Sequence, residues 1–124
     1  MTGTIPILKV EESLIASIQV SLDDRAVSEF QENLLERLVV ERATGVIIDI
    51  TAIDIVDSFM ARSLNDIAIA VRLLGARAAI VGMQPVVAIT LVQMGLTIPE
   101  ALTALSLEQA LNVFRKDAAM AAHG

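Results

Sequence analysis

The residues able to do chemistry crowd into one stretch, Asp49-Ile50-Thr51-Ala52-Ile53-Asp54-Ile55-Val56-Asp57-Ser58-Phe59. Carboxylates such as Asp49, Asp54 and Asp57 can serve in general acid–base catalysis or hold Mg²⁺. Here Asp49 falls in a strand and the other two in one short loop, with no second acidic cluster opposite. They read first as strand-end and turn residues. Ser58 is the sharper candidate. Asp57 and Ser58 are both favoured at a helix start, and capping alone accounts for such residue types. A hydroxyl there also lies beside unpaired backbone N–H groups and the positive end of the helix dipole. A phosphate on Ser58 would be tolerated by the fold while adding about −1.5 to −2 charges to the surface. Asp57 would sharpen the repulsion felt by a partner docked over this end, and Phe59 and Arg62 complete the contact surface. Arg62, one turn on, can pair with such a phosphate, although a solvated side chain is its simpler reading.

Other chemistries lack their residues. There is no cysteine, which removes disulfides, thiolate catalysis and Cys-based metal sites. The sole histidine, His123, is next to last, so Ser58 has no imidazole base and no His-based metal site or Ser-His-Asp triad can form in the body of the domain. A receiver-type phospho-Asp domain needs a lysine after a central strand, but Lys9 and Lys116 are the only lysines. No G-x-G-x-x-G or Walker-type loop is present, and no cofactor is implied. Nine basic residues against fifteen acidic ones give a net charge of −6. Phosphate backbones need clustered Lys and Arg. With three Phe and no Trp or Tyr there are no platforms for stacking bases either. A nucleic-acid partner is excluded.

The apolar content, 55%, is high for one 124-residue domain. Either the chain enters a membrane, or it buries surface by self-association. Ala78 to Pro99 carries no charge and is long enough to span a bilayer. Gly82, Gln84 and Pro85 interrupt it, however. It reads as a strand ending near Val81 followed by a helix that Pro85 opens, so no membrane span is expected. No basic region precedes an apolar run at the N-terminus. A cytoplasmic, self-associating protein is the expectation.

The elements that must position Ser58 follow from periodicity. Ile5 to Val10 is extended, Glu11-Glu12-Ser13 turns, and Leu14, Ala16, Ile18 and Val20 alternate as a half-buried strand, together an antiparallel hairpin. Ser21, Leu22, Asp23 and Asp24 cap a helix with Val27, Phe30, Leu34 and Leu38 inward and Arg25, Glu29, Glu32, Glu36 and Arg37 outward, closed by Gly45 in a left-handed conformation. Val46 to Ile50 is a central strand buried on both faces, the habit of parallel sheets. A helix from Ser58 buries Met60, Leu64, Ile67, Val71 and Leu74, sets Arg62, Asn65, Asp66 and Arg72 outside, and ends at Gly75. Ala78 to Val81 is the next strand; Met83-Gln84-Pro85 is a tight loop. Pro85 to Met94 is a helix stopped by Gly95, and Ala101 to Ala104 an edge strand. Ser106 and Gln109 form a capping box for a final helix burying Leu107, Ala110, Leu111 and Phe114. The class is α/β, a mixed sheet with an N-terminal hairpin followed by alternating strands and about four helices.

Val46-Ile47-Ile48-Asp49-Ile50-Thr51 followed by Val56-Asp57-Ser58 resembles the central motif of STAS domains, found in anti-sigma-factor antagonists and in the tails of sulfate transporters. Ile5-Pro6-Ile7-Leu8-Lys9, Asp57-Ser58-Phe59 and Gln84-Pro85 with Thr90-Leu91 are similar to the small STAS-only scaffolds of the stressosome, a bacterial signalling assembly. The resemblance implies the anti-sigma-factor-antagonist-like fold over 1–116, with 117–124 a frayed tail. It implies a non-catalytic stress-response scaffold that an RsbT-like switch kinase of the GHKL type phosphorylates at Ser58. An RsbR-like STAS protein would be its assembly partner and an RsbX-like phosphatase would reset the serine. Anti-sigma-factor antagonists proper carry a second Ser and a Gly just after the modified serine, where this chain has Phe59-Met60-Ala61. That departure favours the stressosome branch over direct binding to an anti-sigma kinase.

Overall fold

The structure, a computed structural model, describes residues 5–20 and 22–123. Ser21, expected among the capping residues, lies outside them, as does the side chain of His123. Strands β1 (Ile7–Val10) and β2 (Ser13–Ser17) form the antiparallel hairpin, with Leu8 opposite Ile15. Helices and strands then alternate: α1 (Asp24–Val40), β3 (Gly45–Asp49), α2 (Ser58–Leu73), β4 (Arg77–Val81), α3 (Pro85–Gln93), β5 (Ala101–Ala104) and α4 (Leu107–His123). The five strands lie in the order β1-β2-β3-β4-β5, and β2 to β5 are parallel.

That order dictates the layers. Right-handed crossovers between successive parallel strands put every connecting helix on one side of the sheet when the order never reverses. Accordingly Phe30 and Leu34 of α1, Met60, Leu64, Ile67 and Val71 of α2, and Val87 and Leu91 of α3 share one core with Leu14, Val46, Ile48 and Ile80. Among the described residues α4 alone, which follows the last strand, takes the other face, where Ala110 and Leu111 cover Ile47, Ala79 and Val81. Val46, Ile47 and Ile48 point alternately into the two cores, which is why β3 is apolar without a break. Leu8 and Val10 share the face of Ile15 and Ser13 and are exposed.

Several expectations need correction. Gly45 does not close α1. Arg42 (φ 52) takes the left-handed conformation, and the Ala43 N–H donates to the Leu38 carbonyl at 3.2 Å. Gly45 instead opens β3, where a Cβ would sit 2.7 Å from two ring atoms of Phe114 and 2.9 Å from Ser13 Oγ. Glycine is there so that α4 can lie against the sheet. Ser13 belongs to β2 rather than to the turn, and β1 begins at Ile7 rather than Ile5. β2 ends at Ser17, which leaves Val20 exposed beyond it, and Leu74 is an exposed C-cap. Helix α4 runs from Leu107 to His123. Asp117 pairs with Arg77, whose guanidinium lies 5.8 Å from the Phe114 ring centroid, and Arg115 donates to Glu11 at 3.0 Å. Half of the capping box at α4 forms, with the Gln109 N–H donating to Ser106 Oγ at 3.2 Å, while the return contact is shifted by one residue. The Gln109 side chain reaches back to the Leu105 N–H at 3.0 Å. Among the described residues no helix is long and apolar enough to cross a membrane.

Candidate functional site

The loop from β3 to α2 is built by short-range polar contacts and two apolar anchors. Asp49 folds its carboxylate back, accepting from the Thr51 N–H at 2.9 Å and the Thr51 hydroxyl at 2.5 Å. Ile53 and Val56 dip into the core and pin the loop between them. The Thr51 carbonyl accepts from the Gln84 side-chain amide at 2.7 Å, tying this loop to the one that follows β4. Gly82 makes the junction possible. It has φ +73°, and a Cβ there would lie 1.9 Å from Thr51 Oγ1. Sequence reasoning missed the contacts among Thr51, Gly82 and Gln84. The signal available was a glycine immediately after a buried strand, in a loop read only as tight.

The helix start resolves the shared role of Asp57 and Ser58. Asp57 is the N-cap, extended at φ −91° and ψ 174°, and its carboxylate accepts from the Met60 N–H at 2.8 Å. Ser58 is therefore the first helical residue, half-buried, and its hydroxyl takes no hydrogen-bond partner among the described residues. Met60 and Ala61 turn into the core, which leaves Phe59 (39% exposed) and Arg62 on the outside. Arg62 stands one turn after Ser58, where Cβ atoms are about 5–6 Å apart. It makes no ion pair among the described residues. Exposed Ile55 borders the same end, above a hollow of about 60 Å³ shared with Leu22, Asp57 and Met60. That space admits about two waters, so the site is a surface rather than a pocket.

The imagined carboxylate centre does not assemble. Asp49 is committed to Thr51, Asp57 to the Met60 N–H, and Asp54 is exposed in the loop. Among the described residues no three of Asp, Glu and His gather within reach of one metal ion. A groove of about 650 Å³ is lined by Ile5, Ile7, Arg37, Glu41 and neighbours and includes no residue of the Ser58 loop.

Because the cap bond is a single carboxylate contact, Asp57→Ala should lower stability by about 1 kcal/mol, within the 0.5–2 usual for lost caps. Asp57→Asn should restore it, since Asn caps as well as Asp. Thermal unfolding of the three chains checks this; equal melting temperatures for Asp57→Ala and the parent would remove Asp57 from the cap.

A family profile for the STAS domain matches residues 4–110. The chain belongs to the STAS family. This STAS domain is similar to a solved structure of Moorella thermoacetica RsbS S58E, at 37% identity and a TM-score of 0.82, covering 94% of this chain and 98% of that one. A chain from the molecular architecture of the stressosome, described as a signal integration and transduction hub, matches at 39% identity and a TM-score of 0.80. That match covers 91% of this chain and 98% of the other. In sequence, the RsbT co-antagonist protein RsbRA of Bacillus subtilis is 30% identical over 107 residues, which are 86% of this STAS domain and 39% of RsbRA. The chain thus spans well under half of that relative.

Proposed function

We propose that this STAS domain is a non-catalytic cytoplasmic scaffold of an RsbS-type stressosome. It holds an RsbT-like serine kinase and releases it when Ser58 is phosphorylated. An RsbR-like protein is its assembly partner and an RsbX-like phosphatase its reset. The observation that carries the reading is the Ser58 hydroxyl. It stands at the first position of a helix whose cap is supplied by another residue, so it can gain a phosphate without losing a structural bond. The phosphate meets the free N–H groups of the first turn and the positive helix end, so the fold accepts it. A kinase seated over Phe59 and Arg62 meets a new dianion instead. Likeness to RsbS and to the stressosome chain over nearly the full length, and to an RsbT co-antagonist in sequence, supports this choice of partners.

The test is incubation with an RsbT-like GHKL kinase and ATP, followed by mass spectrometry. The expected result is one phosphate, mapped to Ser58. The companion measurement is the mass of the chain mixed with an RsbR-like protein, where a megadalton particle is expected. A phosphate elsewhere overturns the assignment of Ser58. A small complex that instead binds an anti-sigma kinase directly makes the chain an anti-sigma-factor antagonist.

A further inference from the structure

One residue that orders the Ser58 loop lies outside it. Gln84 occupies the N-cap position of α3, extended at φ −71° and ψ 148°, yet its side chain makes no cap to that helix. A side chain at that position normally accepts from first-turn N–H groups. Here the half-buried Gln84 amide instead donates to the Thr51 carbonyl at 2.7 Å, 33 residues away in the chain. The acceptor is itself held, because the Thr51 N–H and hydroxyl both donate to the Asp49 carboxylate. Just before it, the Ile50 N–H donates to the Val81 carbonyl of β4 at 3.0 Å, and the Ile53 N–H closes the next turn on the Ile50 carbonyl at 3.0 Å. The loop is thus fastened at Thr51 by Gln84 and at Asp57 by the helix cap. Between those points run only Ala52 to Val56, of which Ile53 and Val56 are buried.

We propose that Gln84 is a positioning residue for phosphoryl transfer to Ser58, fixing the loop before the kinase arrives. The inference rests on Ser58 being the acceptor. In that step the Ser58 oxygen bonds to the γ-phosphorus of ATP, the bond to the β-phosphate oxygen breaks, ADP leaves, and the hydroxyl proton passes to a base on the kinase. Gln84 touches none of these atoms. So short a span leaves little slack, and a shift at Thr51 carries to Asp57 and Ser58. Gln84 therefore acts on binding, since a loop already in order does not have to be ordered when the kinase docks. Without the Gln84 bond the loop is reordered at every encounter, which weakens the bound ground state and the transition state alike. The donor is the feature that counts, because a carbonyl can accept from an amide N–H and finds no donor on a thioether.

Gln84→Met keeps an unbranched side chain of similar length and removes the donor. With an RsbT-like kinase and ATP, the KM for this variant as substrate should rise roughly tenfold while kcat stays within about twofold of the parent, the signature of lost uniform binding. Circular dichroism at the assay temperature checks that the variant is folded, so that unfolded substrate does not account for the rise. Gln84→Ala should give the same split; a rise confined to Gln84→Met would come from its bulk and overturns the proposal. Amide hydrogen exchange supplies a readout that needs no kinase. In Gln84→Met the Ile53 N–H and the capped Met60 N–H should exchange at least roughly tenfold faster, with Leu34 in α1 unchanged. Faster exchange at Ile53 alone would mean that the buried anchors isolate Ser58 from Gln84, and overturns the proposal. So does an unchanged KM with the phosphate on Ser58. A parent chain phosphorylated elsewhere removes the acceptor reading, and this inference with it, even if exchange shows the Gln84 bond to be present.

Discussion

A Ser58→Ala chain is expected to fold and to hold the RsbT-like kinase as the parent does, then to keep it when ATP makes the parent let go. The structure makes this a clean substitution. Asp57, not Ser58, caps α2, and the Ser58 hydroxyl has no hydrogen bond among the described residues to lose. Alanine is also the best helix former, so the first turn is not weakened. In the parent, a phosphate on Ser58 would set about −1.5 to −2 charges beside Asp57, under whatever covers Phe59. Every 1.4 kcal/mol of lost affinity is tenfold, so two such steps separate the parent from Ser58→Ala by roughly 100-fold in kinase retained. Co-sedimentation of kinase with each chain, before and after ATP, reads this directly. Ser58→Asp should fall between the two, because one carboxylate carries less charge than a phosphate. Release from Ser58→Ala at the parental rate would place the switch on another residue.

The second large effect is structural and concerns the floor of the site. Gly82→Ala should destabilise the domain by about 3–4 kcal/mol. The left-handed backbone at φ +73° costs an L-residue roughly 1–2 kcal/mol. The remainder comes from overlap, since the new Cβ would meet Thr51 Oγ1 at 1.9 Å, Thr51 Cβ at 3.0 Å and Thr51 Cα at 3.2 Å. Thr51 cannot retreat without releasing the Asp49 carboxylate and the Gln84 amide that hold it. Against a typical total stability of about 5–15 kcal/mol this is a large fraction, and it should lower the melting temperature by about 10–15 °C. Thr51→Gly in the same chain removes the hydroxyl and Cβ, and should restore part of the loss through a coupling of about 1–3 kcal/mol. Additive effects of the two substitutions would mean that the loops do not touch as described.

How far the sequence carried this reading depended on the range of each contact. Val27, Phe30, Leu34 and Leu38 gave α1 its inner face by spacing alone, and the unbroken apolar run of β3 announced a strand between two cores. Asp57-Ser58 marked the helix start because capping is local. The division of labour between them was not legible, since either side chain can cap and only geometry shows which does. Gly45 misled because a glycine after a helix has a ready local explanation, whereas its actual reason is Phe114, many residues later. The contacts among Gly82, Thr51 and Gln84 were not legible for the same cause: they arise from a meeting of two loops that no periodicity records. The pairing of Asp117 with Arg77 was not legible either, because the two meet only across the fold.

The sheet order has a consequence for how the chain comes into being. Every strand hydrogen-bonds to its immediate predecessor in the chain, and no later strand inserts between earlier ones. Synthesised from the N-terminus, the polypeptide can add each helix and strand to an edge already complete, so loop-closure distances stay short and assembly is quick for a largely parallel architecture. Within this domain α4, which follows the last strand, is also the element that seals the sheet's second side over Ile47, Ala79 and Val81. Until it packs, that apolar side of the sheet stands open to solvent, the condition in which a chain most readily aggregates.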